Sequence, residues 1–159
     1  TSGSTDMDLL PYFQSLEATF IGTKVRESLW MFPVIECIHL LALGLLGGAA
    51  FVLDLRLLGF GLRDQPPAEL ERKLHPWLRG SIAMLILTGV PMFLSEAIKC
   101  YYSPPFWYKI GALILAIIFT FTLRRRAAAR AVDKAPVIAL ASIALWMGVA
   151  FAGRWIAFY

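Results

Sequence analysis

Charged residues divide the chain into long apolar windows. The clearest uncharged window is Ala135–Gly153, nineteen residues. Gly80–Ser95 gives sixteen and reaches Ile98 across Glu96. Ile110–Leu123 gives fourteen and reaches back to Phe106 across Lys109. Leu40–Leu53 also gives fourteen and reaches back to Trp30 across His39 and Glu36. A helix that crosses a bilayer needs about 20 mostly apolar residues, because the hydrocarbon is roughly 30 Å thick and each residue rises about 1.5 Å. The windows predict four helical spans, at about 30–58, 77–100, 106–124 and 136–157. Lipid cannot satisfy an open backbone, and the ten-residue alternation of a membrane β-barrel is absent from the sequence.

The connections between windows are short and marked by proline. Pro66-Pro67 breaks the segment Gly61–His75, in which Glu69, Glu71, Arg72 and Lys73 must reach water. Pro104-Pro105 stops the segment Lys99–Pro105, and Pro136 suits the first turn of the last helix. Pro33 fits the first turn of the first span, and Thr88-Gly89 with Pro91 predicts a bend in the second. Ahead of the spans, Leu9, Phe13, Leu16 and Phe20 recur at a 4-3-4 spacing, one stripe of a helix, with Gln14, Glu17 and Lys24 off it. This segment reads as an amphipathic helix on the outer membrane face, or as one packed on a partner, with a break at Gly22. Asp6 and Asp8 precede a weakly apolar stretch, unlike a cleavable signal. The expected organisation is residues 1–27 as tail and interfacial helix and 28–159 as an all-α integral membrane domain, a four-helix transmembrane bundle.

Composition agrees. Of 159 residues, 58% are hydrophobic and 16% charged, against roughly 45–50% and 25% in soluble domains. That excludes a disordered chain and, with 2 Cys, a disulfide scaffold. Lys and Arg in the two loops 56–79 and 124–134 outnumber those on the other side by ten to five. The positive-inside rule places these loops in the cytoplasm and both termini outside, which in a bacterium means an inner-membrane protein with periplasmic termini. The net charge of +4 needs no nucleic-acid partner, since basic loops beside anionic lipid account for it. Trp30, Tyr101, Tyr102, Trp107, Tyr108, Trp155 and Tyr159 fall at the expected outer ends and Trp77 at an inner one. Trp146 alone lies mid-span, where its N–H needs a partner.

Ionisable residues within spans are costly and usually face the bundle interior. Glu36 and His39, three residues apart, are expected as neighbours on one helix face, about 5 and 9 Å inward of Pro33. Glu96, Lys109 and Arg154 bring charge to the outer ends of the other spans, either as ligand-binding groups or as snorkelling anchors. Asp54 and Arg56 read as a local polar pair at the inner boundary. A neutral His39 suits haem iron. Gly44, Gly47 and Gly48 follow it and would admit a flat macrocycle or a close helix. Met92 and Met147 lie at depths nearer to His39 than His75 does. His75, at the opposite end, reads as a surface residue. Cys37 and Cys100 differ in expected depth by roughly 10 Å, too far for a disulfide. Metal-ligand clusters, phosphate-binding glycine loops and nucleophile elbows are not found, and no catalytic set is legible.

The stretch from Trp30 to Gly59, WMFPVIECIHLLALGLLGGAAFVLDLRLLG, carries E-x-x-H followed by D-x-R-L-L-G. With Thr88-Gly89, Phe93, Ala97, Tyr101 and the FWYK of Phe106–Lys109, it resembles an uncharacterised family of small bacterial four-span membrane proteins, a domain of unknown function. More remotely it is similar to the CopD and HemJ membrane proteins, in which an early-span histidine is associated with b-type haem or copper and a later span can carry a functional lysine. That resemblance implies His39 for the histidine and Lys109 for the lysine.

The leading expectation is a redox component binding b-type haem in the outer half. His39 would be the axial ligand, Glu36 its neighbour, and Lys109 and Arg154 the propionate partners, with Met92 or Met147 as a second ligand or the iron five-coordinate. Electrons would pass between a quinone and a periplasmic or membrane protein partner. The competing expectations are a cofactor-free accessory subunit, with or without homo-oligomerisation, and a carrier of a small solute, metal ion or proton.

Overall fold

The computed structural model describes residues 9–130 and 132–158; Asp6, Asp8 and Tyr159 lie outside the described residues. Helices make up the regular structure, and there is no strand among the described residues. Two short helices, α1 (Leu10–Glu17) and α2 (Phe20–Glu27), precede the long α3 (Met31–Leu57) and α4 (Pro67–Ser95). A short α5 (Ala97–Tyr102) leads into α6 (Pro104–Phe119), a π-helical turn at Thr120–Arg124 and α7 (Arg125–Arg130). The chain closes with α8 (Ala135–Trp155) and a 3₁₀ turn at Ile156–Phe158. α3, α4, the continuous run Pro104–Arg130 and α8 are each long and apolar enough to cross a membrane. This is a multi-pass, all-α membrane protein.

Most helix starts are set locally. Pro11, Pro67, Pro104 and Pro136 occupy first turns, where a missing N–H costs nothing. Ser28 Oγ accepts from the Met31 N–H at 3.1 Å and begins α3. α3 ends where Gly59 takes φ 86° and Gly61 φ 65°, conformations that exclude most side chains. α4 begins ten residues before the expected span start, at Pro67 rather than residue 77. The acidic and basic residues from Glu69 to Lys73 are therefore helical, the first turns of a helix about 44 Å long. Such a helix exceeds the hydrocarbon thickness, so these turns project beyond it. Pro76 and Pro91 lie inside α4.

α3 packs along α4, α6 along α8, and α8 closes back on α3, whereas α4 and α6 keep their backbones apart and meet through side chains. The core is a dry layer built on Ala42, Leu46, Ala49, Leu78, Leu85 and Val149. A second cluster, Leu53, Leu57, Leu70, Ala128 and Ala139, fills the end carrying the basic loops, here the basic end. Alanines, not glycines, mediate the close packing of α3. A Cβ at Gly44, Gly47 or Gly48 would meet nothing within 4 Å, so the expected close approach of another helix to these glycines does not occur within the chain.

At the opposite, terminal end, α1 packs on α5 and α2 on α4. Phe13 sits 5.0 Å from Tyr101 and 5.8 Å from Phe93 between ring centroids, and Phe93 stacks on Phe106 at 5.5 Å. The expected single amphipathic helix is thus two helices. The break falls at Ala18–Thr19, where the Thr19 side chain accepts from the Gly22 N–H. Gly22 is a contact glycine instead of a break. A Cβ there would stand 2.6 Å from the Leu94 carbonyl oxygen, so only glycine lets α2 lie against α4. Glu17 fastens the same region: one carboxylate oxygen accepts from the Ile98 N–H at 2.8 Å and the other from Arg26 at 2.6 Å.

Candidate functional site

The terminal half of the bundle holds one polar constellation drawn from all four spans. His39 on α3 meets α4 at Thr88 and Gly89. Its Nδ1 lies 2.8 Å from Thr88 Oγ1, and a Cβ at Gly89 would stand 3.3 Å from its Cε1. Gly89 therefore opens the wall of α4 to the flat edge of the imidazole, which is half-buried.

The contacts of Thr88 bear on the tautomer of His39. Thr88 has one hydroxyl proton, and it is donated to the Met84 carbonyl at 2.7 Å. With that proton donated to the carbonyl, Thr88 Oγ1 accepts from His39, and the matching tautomer has the hydrogen on Nδ1 and the lone pair on Nε2. Nε2 makes no hydrogen bond among the described residues. Neutral imidazole with its far nitrogen anchored in this way is the arrangement that presents Nε2 to a metal or a proton.

Lys109 on α6 lies within electrostatic reach of His39. Its Nζ and Cε come to 3.5 Å from where a Cβ on Gly153 of α8 would stand, and its ammonium forms no ion pair among the described residues. The site thus presents an imidazole nitrogen without a hydrogen bond and a lysine without an ion pair, among the described residues.

Not every expected site residue joins them. Glu36 is exposed on α3, although only three residues from His39. A step of three residues rotates a helix by about 60° short of a full turn, enough to carry Glu36 off the packed face. Arg154 is exposed and lies over the Phe158 ring at 5.5 Å. Met147 is 57% exposed on α8. Met92 is half-buried on α4, one turn beyond Thr88 on the same face. His75, at the basic end, places Nδ1 3.1 Å from Glu71 and an edge against Phe121. Cys37 is exposed, Cys100 is buried, and both are free thiols.

A second constellation lies about 22 Å away along α3. Asp54 and Arg124 are each 1% exposed. Asp54 Oδ2 accepts from Ser142 at 2.7 Å, and Oδ1 lies 3.6 Å from Arg124 Nη1. Arg124 also donates to the Ala50 carbonyl at 3.4 Å. The local pair expected between Asp54 and Arg56 does not form: Arg56 donates to the carbonyls of Gln65 and Arg63. Residues two apart on a helix point away from each other, so Asp54 finds its cation across the bundle. The π-helical turn Thr120–Arg124 widens the third span there and brings Arg124 inside. Thr120, at the start of the turn, accepts from the Trp146 indole N–H at 3.2 Å, the partner that this mid-span tryptophan requires. Arg124 had been expected in the basic loop; the signal that could have found it is Asp54 itself, an acid on an apolar face at matching depth. Among the described residues, no three His, Cys, Asp or Glu side chains gather as a metal site.

The sequence profile of a family of unknown function, DUF6644, matches residues 12–159. Neither a curated protein nor a solved structure matches.

Proposed function

We propose that this chain, which belongs to the DUF6644 family of unknown function, is a redox component of a bacterial inner membrane that binds b-type haem at His39. The carrying observation is the contact of His39 Nδ1 with Thr88, itself bonded to the Met84 carbonyl, which leaves Nε2 without a hydrogen bond among the described residues. Neutral imidazole anchored at its far nitrogen is an axial ligand with its orienting partner already in place. Lys109 supplies an unpaired ammonium near the terminal surface, suited to a propionate carboxylate. Haem, when bound, supplies one-electron transfer. The protein's own part is to hold the iron through Nε2, fix the ring through Thr88 and neutralise a carboxylate through Lys109.

Of the two methionines considered as a second ligand, Met92 is in register with Thr88, whereas Met147 is exposed. The half-buried position of His39 suits a flat group seated at the edge of the bundle.

A carrier role is less well supported. Between His39 and the Asp54–Arg124 pair, the bundle is filled by the apolar layer of Ala42, Leu46, Ala49, Leu78 and Leu85. A proton or ion crossing it would lose its hydration without replacement ligands.

The test is absorption spectroscopy of the full chain in mild detergent, oxidised and then reduced with dithionite, with His39→Ala and Thr88→Val alongside. A Soret band with sharpened reduced bands is expected in the wild type and lost in His39→Ala at equal helicity. Thr88→Val should retain haem with a shifted reduction potential or weaker affinity, by about 10–100-fold. A wild-type protein that stays colourless after haem is added refutes the proposal.

A further inference from the structure

The second and third spans leave a gap between them. They meet at the terminal end through the stacked rings of Phe93 and Phe106. At the basic end α4 packs on α7, and Arg125 Nε comes 4.0 Å from Glu71. Between these closures a groove of about 480 Å³ opens sideways from the bundle. Ile82, Ile86 and Phe121 form its walls, and His75, Arg79 and Arg125 stand at its basic end. From His75 to Ile86 the groove follows α4 for about 16 Å.

In a bilayer such a cleft cannot stand empty. Voids forfeit the dispersion contacts of every atom that lines them, and water has no polar partners along the isoleucine wall. The occupant must therefore be apolar over most of its length and anionic at one end. Two guanidinium groups face one carboxylate there, Glu71, which already holds His75 and Arg125. Both arginines are exposed, so a headgroup phosphate can reach them from the membrane interface.

We propose that this groove is a binding site for one anionic phospholipid. Its phosphate is held by Arg79 and Arg125, and the first part of an acyl chain lies along Ile82, Ile86 and Phe121. Arginine suits this position because its planar fork engages two phosphate oxygens at once. The site is separate from His39 and does not depend on haem.

Native mass spectrometry of the detergent-solubilised full chain tests this, with dioleoyl phosphatidylglycerol and dioleoyl phosphatidylcholine added in equal amounts. One phosphatidylglycerol should be retained over phosphatidylcholine by about tenfold. Arg79→Gln with Arg125→Gln should bring the ratio near parity, while Arg79→Lys with Arg125→Lys should keep part of it. Ile86→Trp, which fills the groove and leaves both arginines in place, should lower retention of both lipids. Arg72→Gln with Arg130→Gln removes the same charge elsewhere on this end and should leave the preference intact.

The proposal is overturned if the Arg79/Arg125 pair changes nothing, or if the Arg72/Arg130 pair abolishes the preference equally. Glycerol phosphate, which has no acyl chain, competing as well as the lipid would assign the site to free phosphate and overturn it too. A dimer that dissociates in Ile86→Trp would give the groove to a second copy of the chain, with the same consequence.

Discussion

The buried pair of Asp54 and Arg124 should cost more when half-broken than when wholly removed. At 3.6 Å and an effective dielectric constant of about 20, their attraction is about 5 kcal/mol. Desolvation of two groups that are each 1% exposed consumes several kcal/mol per ion. The pair is also incompletely hydrogen-bonded, since Asp54 Oδ1 and Arg124 Nε have no hydrogen-bond partner. The attraction and the desolvation therefore nearly cancel, and the pair adds little net stability. Removing one member leaves the other charge buried without compensation. Asp54→Leu or Arg124→Met alone should lose about 3–5 kcal/mol, more than a hundredfold in the folded fraction. The double variant Asp54→Leu/Arg124→Met should lie within about 1 kcal/mol of wild type, or above it. Ser142→Ala should cost about 1–3 kcal/mol by leaving Asp54 Oδ2 unbonded. The assay is reversible unfolding of the full chain in mixed micelles, followed by circular dichroism across a denaturing-detergent titration. Single variants that each lose under about 1 kcal/mol, or losses that simply add in the double variant, would refute the reasoning.

Other positions give separate tests. Gly22→Val pushes a side chain into the Leu94 carbonyl, so α2 should lift from α4 and limited proteolysis should cut near Ala18–Thr19 while the four spans stay intact. Glu17→Ala removes both the Ile98 N–H acceptor and the Arg26 partner, and should expose the same site without lowering the helicity of the spans. The buried Cys100 thiol is pushed up to about 11, by burial first and by Glu96 second. It should therefore resist iodoacetamide at pH 8 in the folded protein and react on denaturation, as read by peptide mass spectrometry. Gly89→Leu places a bulky side chain against the His39 ring and should reduce any His39-dependent spectrum at unchanged helicity.

Most of the architecture was legible in the sequence because bilayer thickness and charge act on the chain directly. Nineteen uncharged residues at Ala135–Gly153 can form one structure in lipid, and the proline pairs, read as breaks, stand where α4 and α6 begin. The need of Trp146 for a partner was legible for the same reason. Thr120 was not, because which hydroxyl meets an indole depends on rotation between helices. Windows of charge also misplace helix ends. Arg124 closed the third window, yet the helix continues to Arg130 with Arg124 turned inward by a π-helical turn. Glu69 to Lys73 read as a loop because their charges need water, and the helix meets that need by projecting past the membrane. Of the candidate site, His39 and Lys109 were legible as intramembrane polar groups. Glu36, Met147 and Arg154 looked equivalent to them because depth follows from sequence position, whereas facing follows from packing. Thr88 and Gly89 read in the sequence as a bend and as part of a family pattern, not as contacts of His39, since their meeting spans 49 positions of chain.

The two polar constellations differ in a way that separates function from structure. Asp54 and its partners Arg124 and Ser142 are each 1% exposed, and the charges face each other across the bundle. A ligand could enter there only by breaking the ion pair. Around His39 the opposite holds. The imidazole is half-buried, its Nδ1 meets Thr88, its Nε2 makes no hydrogen bond, and Lys109 has no ion-pair partner among the described residues. A half-buried lysine without a carboxylate partner inside a span is costly, so Lys109 is under-satisfied until an anion arrives. The under-satisfied groups lie at the terminal end, where α1, α2 and α5 build an aromatic cover rather than another span. Asp54 and Arg124 therefore fix how the helices are arranged, and the histidine–lysine pair at the other end of the dry core is where this protein should be probed for its ligand.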